Sequence, residues 1–334
     1  MATADVTVMG AGVFGLSVAY TCARKGAAVR VIDLHGVASG SSGGLVGALA
    51  PHVPENWNEK KAFQFESLIM AEAFWHDVAA LSGVDVGYAR SGRLQPLADA
   101  RAVELAKARA GTAAELWQGK ARWEVISSGD ANWMPPSPTG LVAHDTLSAL
   151  IHPRQATRGL ADAVIALGGE VVGAGDMHGK IVWATGWPGI QEIGGKGVKG
   201  QAALLRFDAA GQPQLFADAL HIIPHGDGTV AIGSTSEREF DDPFATDAAL
   251  DDVLERATLA FPILHGAEVL ERWAGVRPRS KSRAPVLGAH PTRDGEYIAN
   301  GGFKIGFGMA PKVGEVMAAL VLEGEDRIPQ GFRA

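Results

Sequence analysis

The first 33 residues constrain this chain more than any other stretch. Val6-Thr-Val-Met9 is a short β-rich run that leads without a break into Gly10-Ala-Gly12-Val-Phe-Gly15. Leu16, Ala19, Tyr20 and Ala23 then recur at three- and four-residue spacing, the period of one helix face. Gly26 is placed to end that helix, and Ala28-Val-Arg-Val-Ile32 resumes strand character before stopping at Asp33. A strand, a G-x-G-x-x-G turn, a helix and a second strand closed by an acid make up half of a Rossmann-like α/β domain. Each glycine has a mechanical reason. Gly10 makes the tight turn, Gly12 lets the backbone approach a pyrophosphate, and Gly15 packs helix against strand. Val13 and Phe14 open the helix, whose N-terminus attracts anions. Asp33, followed by Leu34, is placed to accept a ribose hydroxyl, and an acid there disfavours a 2′-phosphate. FAD and NAD fit this unit equally well.

The next stretch separates the two. Ala38-Ser-Gly-Ser-Ser-Gly-Gly-Leu-Val-Gly47 comes where a nicotinamide enzyme would begin another helix-and-strand unit. A second loop of glycine and serine, with Ser39, Ser41, Gly43, Gly44 and Leu45 as candidate contacts, points to backbone held along a longer cofactor. Composition agrees: 43 of 334 residues are glycine, nearly twice the usual share of about 7%. They cluster at 10–15, 40–47, 194–200 and 301–308 rather than following a period.

The formal net charge of −7 disfavours nucleic acid as a partner. Cys22 is the lone cysteine, so no internal disulfide forms, which fits a reducing cytosol. The first apolar stretch lacks a basic leader and contains the glycine turn, so it does not read as a signal peptide. No apolar run reaches membrane-spanning length, about 18 residues. The expectation is a soluble, cytoplasmic protein with no integral membrane segment. His221 and His225 have no further ligands at metal-binding spacing, so no metal is expected.

The GAGVFG turn, Asp33 and the SGSSGGLVGA loop resemble the FAD-binding N-terminus of the D-amino-acid oxidase, glycine oxidase and sarcosine oxidase flavoproteins. The resemblance runs along most of the chain and is weaker in the middle. It implies an α/β (α+β overall) fold, with a discontinuous FAD-binding domain from 1–84, 141–196 and 273–334. A mainly antiparallel substrate domain would take 85–140 and 197–272. Helices are expected over Phe63 to Leu81 and Asp99 to Leu116, and another starting at Pro153. Glu170-Val-Val172 and Lys180 to Gly186 read as buried parallel strands, with Val172 and Gly186 near the cofactor by resemblance. Ala219 to Pro224 and Thr229 to Gly233 flank His225-Gly-Asp-Gly228 as a hairpin. It is similar to the hairpin that floors the substrate pocket in the amino-acid oxidases, where His221 stands in place of a tyrosine. Thr246 is positioned to cap a helix running to Phe261.

Trp273-Ala-Gly-Val-Arg277-Pro278 resembles the family's Gly-x-Arg-Pro motif, whose arginine holds the substrate carboxylate. Gly302-Phe303-Lys304-Ile305-Gly306 is similar to the segment that wraps the flavin ring, with its basic residue beside the substrate. Pro311 is placed to start the next helix. The resemblance implies non-covalent FAD, since Cys22 is not where the sarcosine oxidases tether theirs. Arg277 and Lys304 would anchor a small amine or amino acid, with hydride transfer to flavin N5 giving an imine that hydrolyses to an oxo acid. Oxygen, a quinone or a protein serves equally as electron acceptor, and any oligomeric state is open. Two other readings stand beside this one. Residues 38–51 also resemble the oxidase domain of a tRNA wobble-uridine enzyme, and a non-catalytic flavin-binding module would carry the same cradle.

Overall fold

A computed structural model describes residues 4–129 and 131–334. The chain opens with β1 (Val6–Met9), α1 (Val13–Arg24), β2 (Val29–Ile32) and a short β3 (Ala48–Leu49). Next come α2 (Glu59–Ser82), β4 (Arg93–Pro96), α3 (Ala100–Leu116), β5 (Trp123–Ser127), β6 (Leu141–Asp145) and β7 (Ala149–Leu150). Then come α4 (Pro153–Ala166), β8 (Glu170–Val172), β9 (Lys180–Trp183), α5 (Gly186–Glu192) and β10 (Lys196–Arg206). The rest is β11 (Gln214–Ala217), β12 (Leu220–Pro224), β13 (Thr229–Gly233), α6 (Ala248–Ala260), β14 (Val269–Arg279), β15 (Val286–Ala289), β16 (Tyr297–Asn300) and α7 (Gly306–Ala318).

These strands form two large sheets. One has the order β15-β16-β9-β1-β2-β8, with β16, β9, β1, β2 and β8 parallel and β15 antiparallel at the edge. The other has the order β14-β10-β13-β12-β11-β4-β6-β5 and is antiparallel except where β11 meets β4. In an open α/β sheet, ligands bind beyond the carboxyl ends of the strands. The carboxyl ends of β1, β2, β9 and β16 deliver Gly10, Asp33, Ala184 and Gly301 to the same side.

The helices hold that arrangement rigid. In α1 the residues from Val13 to Tyr20 are all buried, as a helix clamped between sheet and neighbouring helices must be. α7 packs on it so closely that a β-carbon on Gly314 would sit 2.7 Å from the Ser17 carbonyl oxygen. Leu68, Ala71, Trp75 and Val78 form the predicted buried stripe of α2. Asn58 caps its first turn through Lys61 N at 3.1 Å, and Gly83 ends it in the left-handed region.

Several expectations need correction. Leu141–Asp145 pairs with β4 and β5, and Trp273 to Arg279 pairs with β10, so both belong to the antiparallel sheet. Glu170–Val172 is parallel as expected but lies at the sheet edge and is not buried. α6 is capped by Asp247, whose carboxylate accepts from Ala249 N at 2.9 Å, and not by Thr246. α7 begins at Gly306, with Pro311 inside it. Among the described residues no helix is long and apolar enough to cross a membrane.

Candidate active site

A cavity of about 940 Å³ runs along the carboxyl ends of the parallel strands to the face of the antiparallel sheet. That is the upper part of the range for small-molecule sites. At one end lies the β1–α1 turn. Gly10 has φ +115°, and a β-carbon there would meet the Ala184 carbonyl oxygen at 2.4 Å. A β-carbon on Gly15 would sit 2.1 Å from the Gly10 carbonyl oxygen, so Gly15 brings the helix onto the turn and does not itself line the cavity. Gly12, Val13 and Phe14 do line it. The Asp33 carboxylate accepts from Ala11 N at 2.8 Å and His35 N at 2.9 Å, fixing the two strand ends to each other while it faces the cavity. Leu34 beside it is 79% exposed and lines the cavity.

The second loop closes over the helix end. Ser39, Ser41, Gly44 and Leu45 line the cavity. Gly43 is buried and gives its carbonyl to Arg154 Nε at 2.7 Å instead. Sequence reasoning passed over Ser42, whose hydroxyl accepts from Val13 N at 3.0 Å and caps α1. Gly173, Ala174 and Gly175 line the cavity while Val172, whose carbonyl accepts from Asp33 N at 3.0 Å, does not. Gly186 comes just after β9 with φ +63° and lines the wall.

Behind the second loop, the buried His225 places Nε2 3.1 Å from the Leu45 carbonyl oxygen. Burial pushes His225 down to about 4, and the His152 ring 4.8 Å away pushes the same way. The unfolded chain therefore takes up this proton first as the pH falls. The stabilisation is complete above about 6.5, the ordinary value, and is lost on the way down to about 4. It amounts to on the order of 3 kcal/mol. Melting temperature measured from pH 7 to pH 4 is expected to drop, and less steeply in His225→Gln; equal slopes would refute the assignment.

The other end of the cavity is cationic. Arg277, on β14 opposite Val198 of β10, is held by Ser234 Oγ, the Thr235 carbonyl at 3.3 Å and the Lys199 carbonyl at 3.4 Å. Its guanidinium lies directly over Gly200, where a β-carbon would come within 2.0 Å of Nη2. Burial pushes Arg277 down to about 10, and among the described residues no carboxylate lies within 4 Å of it. Arg277 is half-buried and lines the cavity without a salt-bridge partner among the described residues, and desolvating a guanidinium in this way is costly.

Gly302, Phe303, Lys304 and Gly306 line the same wall, while Ile305 caps α7 without lining it. Phe303 N donates to the Pro278 carbonyl at 3.2 Å, which ties this loop to the residue after Arg277. Burial and the Arg277 charge both lower the pKa of Lys304, so the two cations sense each other. Trp273, Val276 and Phe244 supply apolar wall around them. Lys281 and Arg283, further along the chain, are exposed, whereas Arg277 lines the cavity. His221 does not line the cavity. Its ring turns onto its cross-strand neighbour Phe216, 4.7 Å away, and burial, with Arg93 and Lys304, pushes it down to about 3.

The donor set fits an FAD: a glycine turn at a helix N-terminus, an acid at the second strand end, a further glycine loop, and a glycine-lined helix start at Gly306. Comparison with known proteins agrees. Residues 5–320 match the model of the family described as FAD dependent oxidoreductase. A glycine oxidase from Geobacillus kaustophilus is 24% identical over 95% of this chain and 92% of its own length. The putative thiamine biosynthesis oxidoreductase of Rhizobium etli is 28% identical over 95% and 97%. Among solved structures, the G. kaustophilus glycine oxidase superposes with a TM-score of 0.84 at 20% identity, covering 99% of this chain and 98% of that one. Iminodiacetate oxidase from Chelativorans gives 0.83 at 22% identity, with 98% of each chain covered. The fold, the cradle and the family match together lead to one conclusion: the chain belongs to the FAD dependent oxidoreductase family, and its cofactor is FAD.

Proposed function

We propose that this protein oxidises the C–N bond of a small amine or amino acid that carries a carboxylate. The observation that carries the reading is the half-buried Arg277 guanidinium, with no carboxylate in salt-bridge contact among the described residues, lining the cavity that Lys304 and the dinucleotide cradle also line. Glycine oxidase and iminodiacetate oxidase, among its relatives and structural neighbours, are named for substrates of this kind.

Bound FAD supplies the hydride acceptor. The protein's share is placement and charge. Arg277 offers paired N–H donors that match the two oxygens of a carboxylate. Lys304 adds a second positive charge on the same wall, and seating the carboxylate fixes the carbon that loses hydride. The two cations also disfavour a protonated amine beside them, leaving the lone pair that expels hydride. Trp273, Val276 and Phe244 present apolar surface to the remainder of the substrate. The resulting imine is hydrolysed by water to an oxo acid and an amine or ammonia.

A direct test is anaerobic titration of the purified yellow protein with amino acids and N-methylated glycines. Bleaching of the flavin band by carboxylate-bearing amines, and not by their decarboxylated analogues, is expected. A flavin that none of them reduces would defeat the reading. Hydrogen peroxide formed on readmitting air would identify oxygen as the acceptor.

A further inference from the structure

Residues 39–45 line the FAD cavity with little regular structure of their own, a single 3-10 turn at Ser41–Gly43. A loop of this kind keeps its shape through contacts with distant segments. Ser42 Oγ accepts from Val13 N at 3.0 Å, and the Leu45 carbonyl oxygen lies 3.1 Å from His225 Nε2. Between them, the Gly43 carbonyl accepts from Arg154 Nε at 2.7 Å. This last bond is charge-assisted, and the guanidinium that makes it is itself held. Its Nη1 and Nη2 meet Glu271 Oε2 and Oε1 at 2.9 and 2.7 Å, a bidentate fork that fixes where Nε points.

Glu271 is on β14, where the pairing with β10 puts Glu271, Trp273, Gly275 and Arg277 at alternate positions on one face. The loop rests on that face, since a β-carbon on Gly44 would come 3.1 Å from Trp273 Cη2. Arg154 stands in the first turn of α4, so one side chain joins α4, β14 and the loop. Gly43 leaves the loop no slack at the joint, because a β-carbon there would sit 2.2 Å from the Ala38 carbonyl oxygen. On its outer side the joint meets a second, smaller cavity that Arg154, Gly43 and Trp273 line, and water reaches both charges. The Arg154 and Glu271 side chains are 39% and 36% exposed, and ion pairs at that exposure add little to global stability. What this pair holds is local: the carbonyl between Ser41 and Gly44, both of which line the FAD cavity.

We infer that Arg154, oriented by Glu271, is a positioning residue for the cofactor, which holds the Gly43 carbonyl and so keeps the second loop in place along bound FAD. In Arg154→Met, FAD leaves the diluted holoenzyme at least about 10-fold faster, followed as free flavin passing an ultrafiltration membrane. The melting temperature of the apoprotein stays within about 3 °C of the parent, whereas a merely structural role would lower it together with flavin retention. Glu271→Ala speeds release by about threefold or more, and in the Arg154→Met background it adds less than about twofold, because it acts through the guanidinium. Arg154→Lys keeps the charge and loses the fork, and its release stays at least about threefold faster than the parent. Arg158→Met is the control: one turn further along α4 and 77% exposed, Arg158 faces Asp162 at 3.5 Å, and its loss leaves release unchanged.

Parental release from Arg154→Met overturns the inference. So does an apoprotein melting temperature that falls in step with flavin retention, or a Glu271→Ala effect that adds in full to that of Arg154→Met. Faster release from Arg158→Met would assign the effect to surface charge and overturn it as well. Should Arg154→Met fail to accumulate, Arg154→Lys and Glu271→Ala carry the same comparison. Neither measurement involves substrate, so the outcome is independent of what Arg277 seats.

Discussion

Replacing Arg277 by Met is expected to give a yellow, folded protein whose kcat/KM for carboxylate-bearing amines falls by about 100-fold or more. Truncating one partner of a buried, charge-assisted pair costs about 2–5 kcal/mol, most of it through weaker ligand retention. Several features place this substitution at the large end. Among the described residues no carboxylate is in salt-bridge contact with the guanidinium, so a ligand carboxylate would be its first direct ion-pair partner. Gly200 leaves the space it occupies, and Ser234 and Thr235 fix its direction, so the bound geometry is prepared in advance. The FAD cradle should be intact, because the turn at Gly10 to Gly15 and the acid at Asp33 belong to the other sheet. Steady-state kinetics over a wide concentration range, with the flavin-to-protein absorbance ratio as control, decides the matter. Saturation at the parent concentration would remove Arg277 from the site.

Gly10→Ala should do its damage at the opposite end. A β-carbon there meets the Ala184 carbonyl oxygen at 2.4 Å, and φ +115° is a conformation that an alanine rarely adopts. Strain and overpacking together are expected to cost roughly 3 kcal/mol or more. Because β1 and β9 both deliver cradle residues, separating them also loosens the cofactor. The expected result is a largely colourless protein after gel filtration, with a lowered melting temperature. Gly26→Ala is the control. Its φ is +89° with nothing within 4 Å, so only the backbone penalty of about 1 kcal/mol applies and the flavin stays. Equal flavin content in the two variants would show that the contact with Ala184 is not needed.

The cradle is legible in the sequence because its parts are local. Gly10, Gly12, Gly15 and Asp33 follow one another within a single β-α-β unit, and their spacing states their task. Arg277 and Lys304 emerge only through a resemblance, since nothing near them in sequence says that they share a wall. The rest depends on pairings between distant segments. Gly200 has meaning only once β10 is laid beside β14, with Val198 opposite Arg277. Lys199 and Glu237 become neighbours only when the segment after β13 runs along β10. The same cause hides which sheet Leu141–Asp145 and Trp273 to Arg279 join, because a strand's sequence does not name its sheet. His221 reads from its hairpin as a wall residue, and its cross-strand contact with Phe216 is not visible in the sequence.

The parallel sheet has a further implication for how the molecule is made. Its first strand is synthesised near the start, but β15, β16 and the loop bearing Lys304 arrive only after residue 285, and α7 then locks against α1. A ribosome-bound chain stopped before that point holds the glycine turn without the wall opposite it. Flavin capture during translation should therefore switch on late and abruptly, and nonsense truncations anywhere upstream should be recovered without colour.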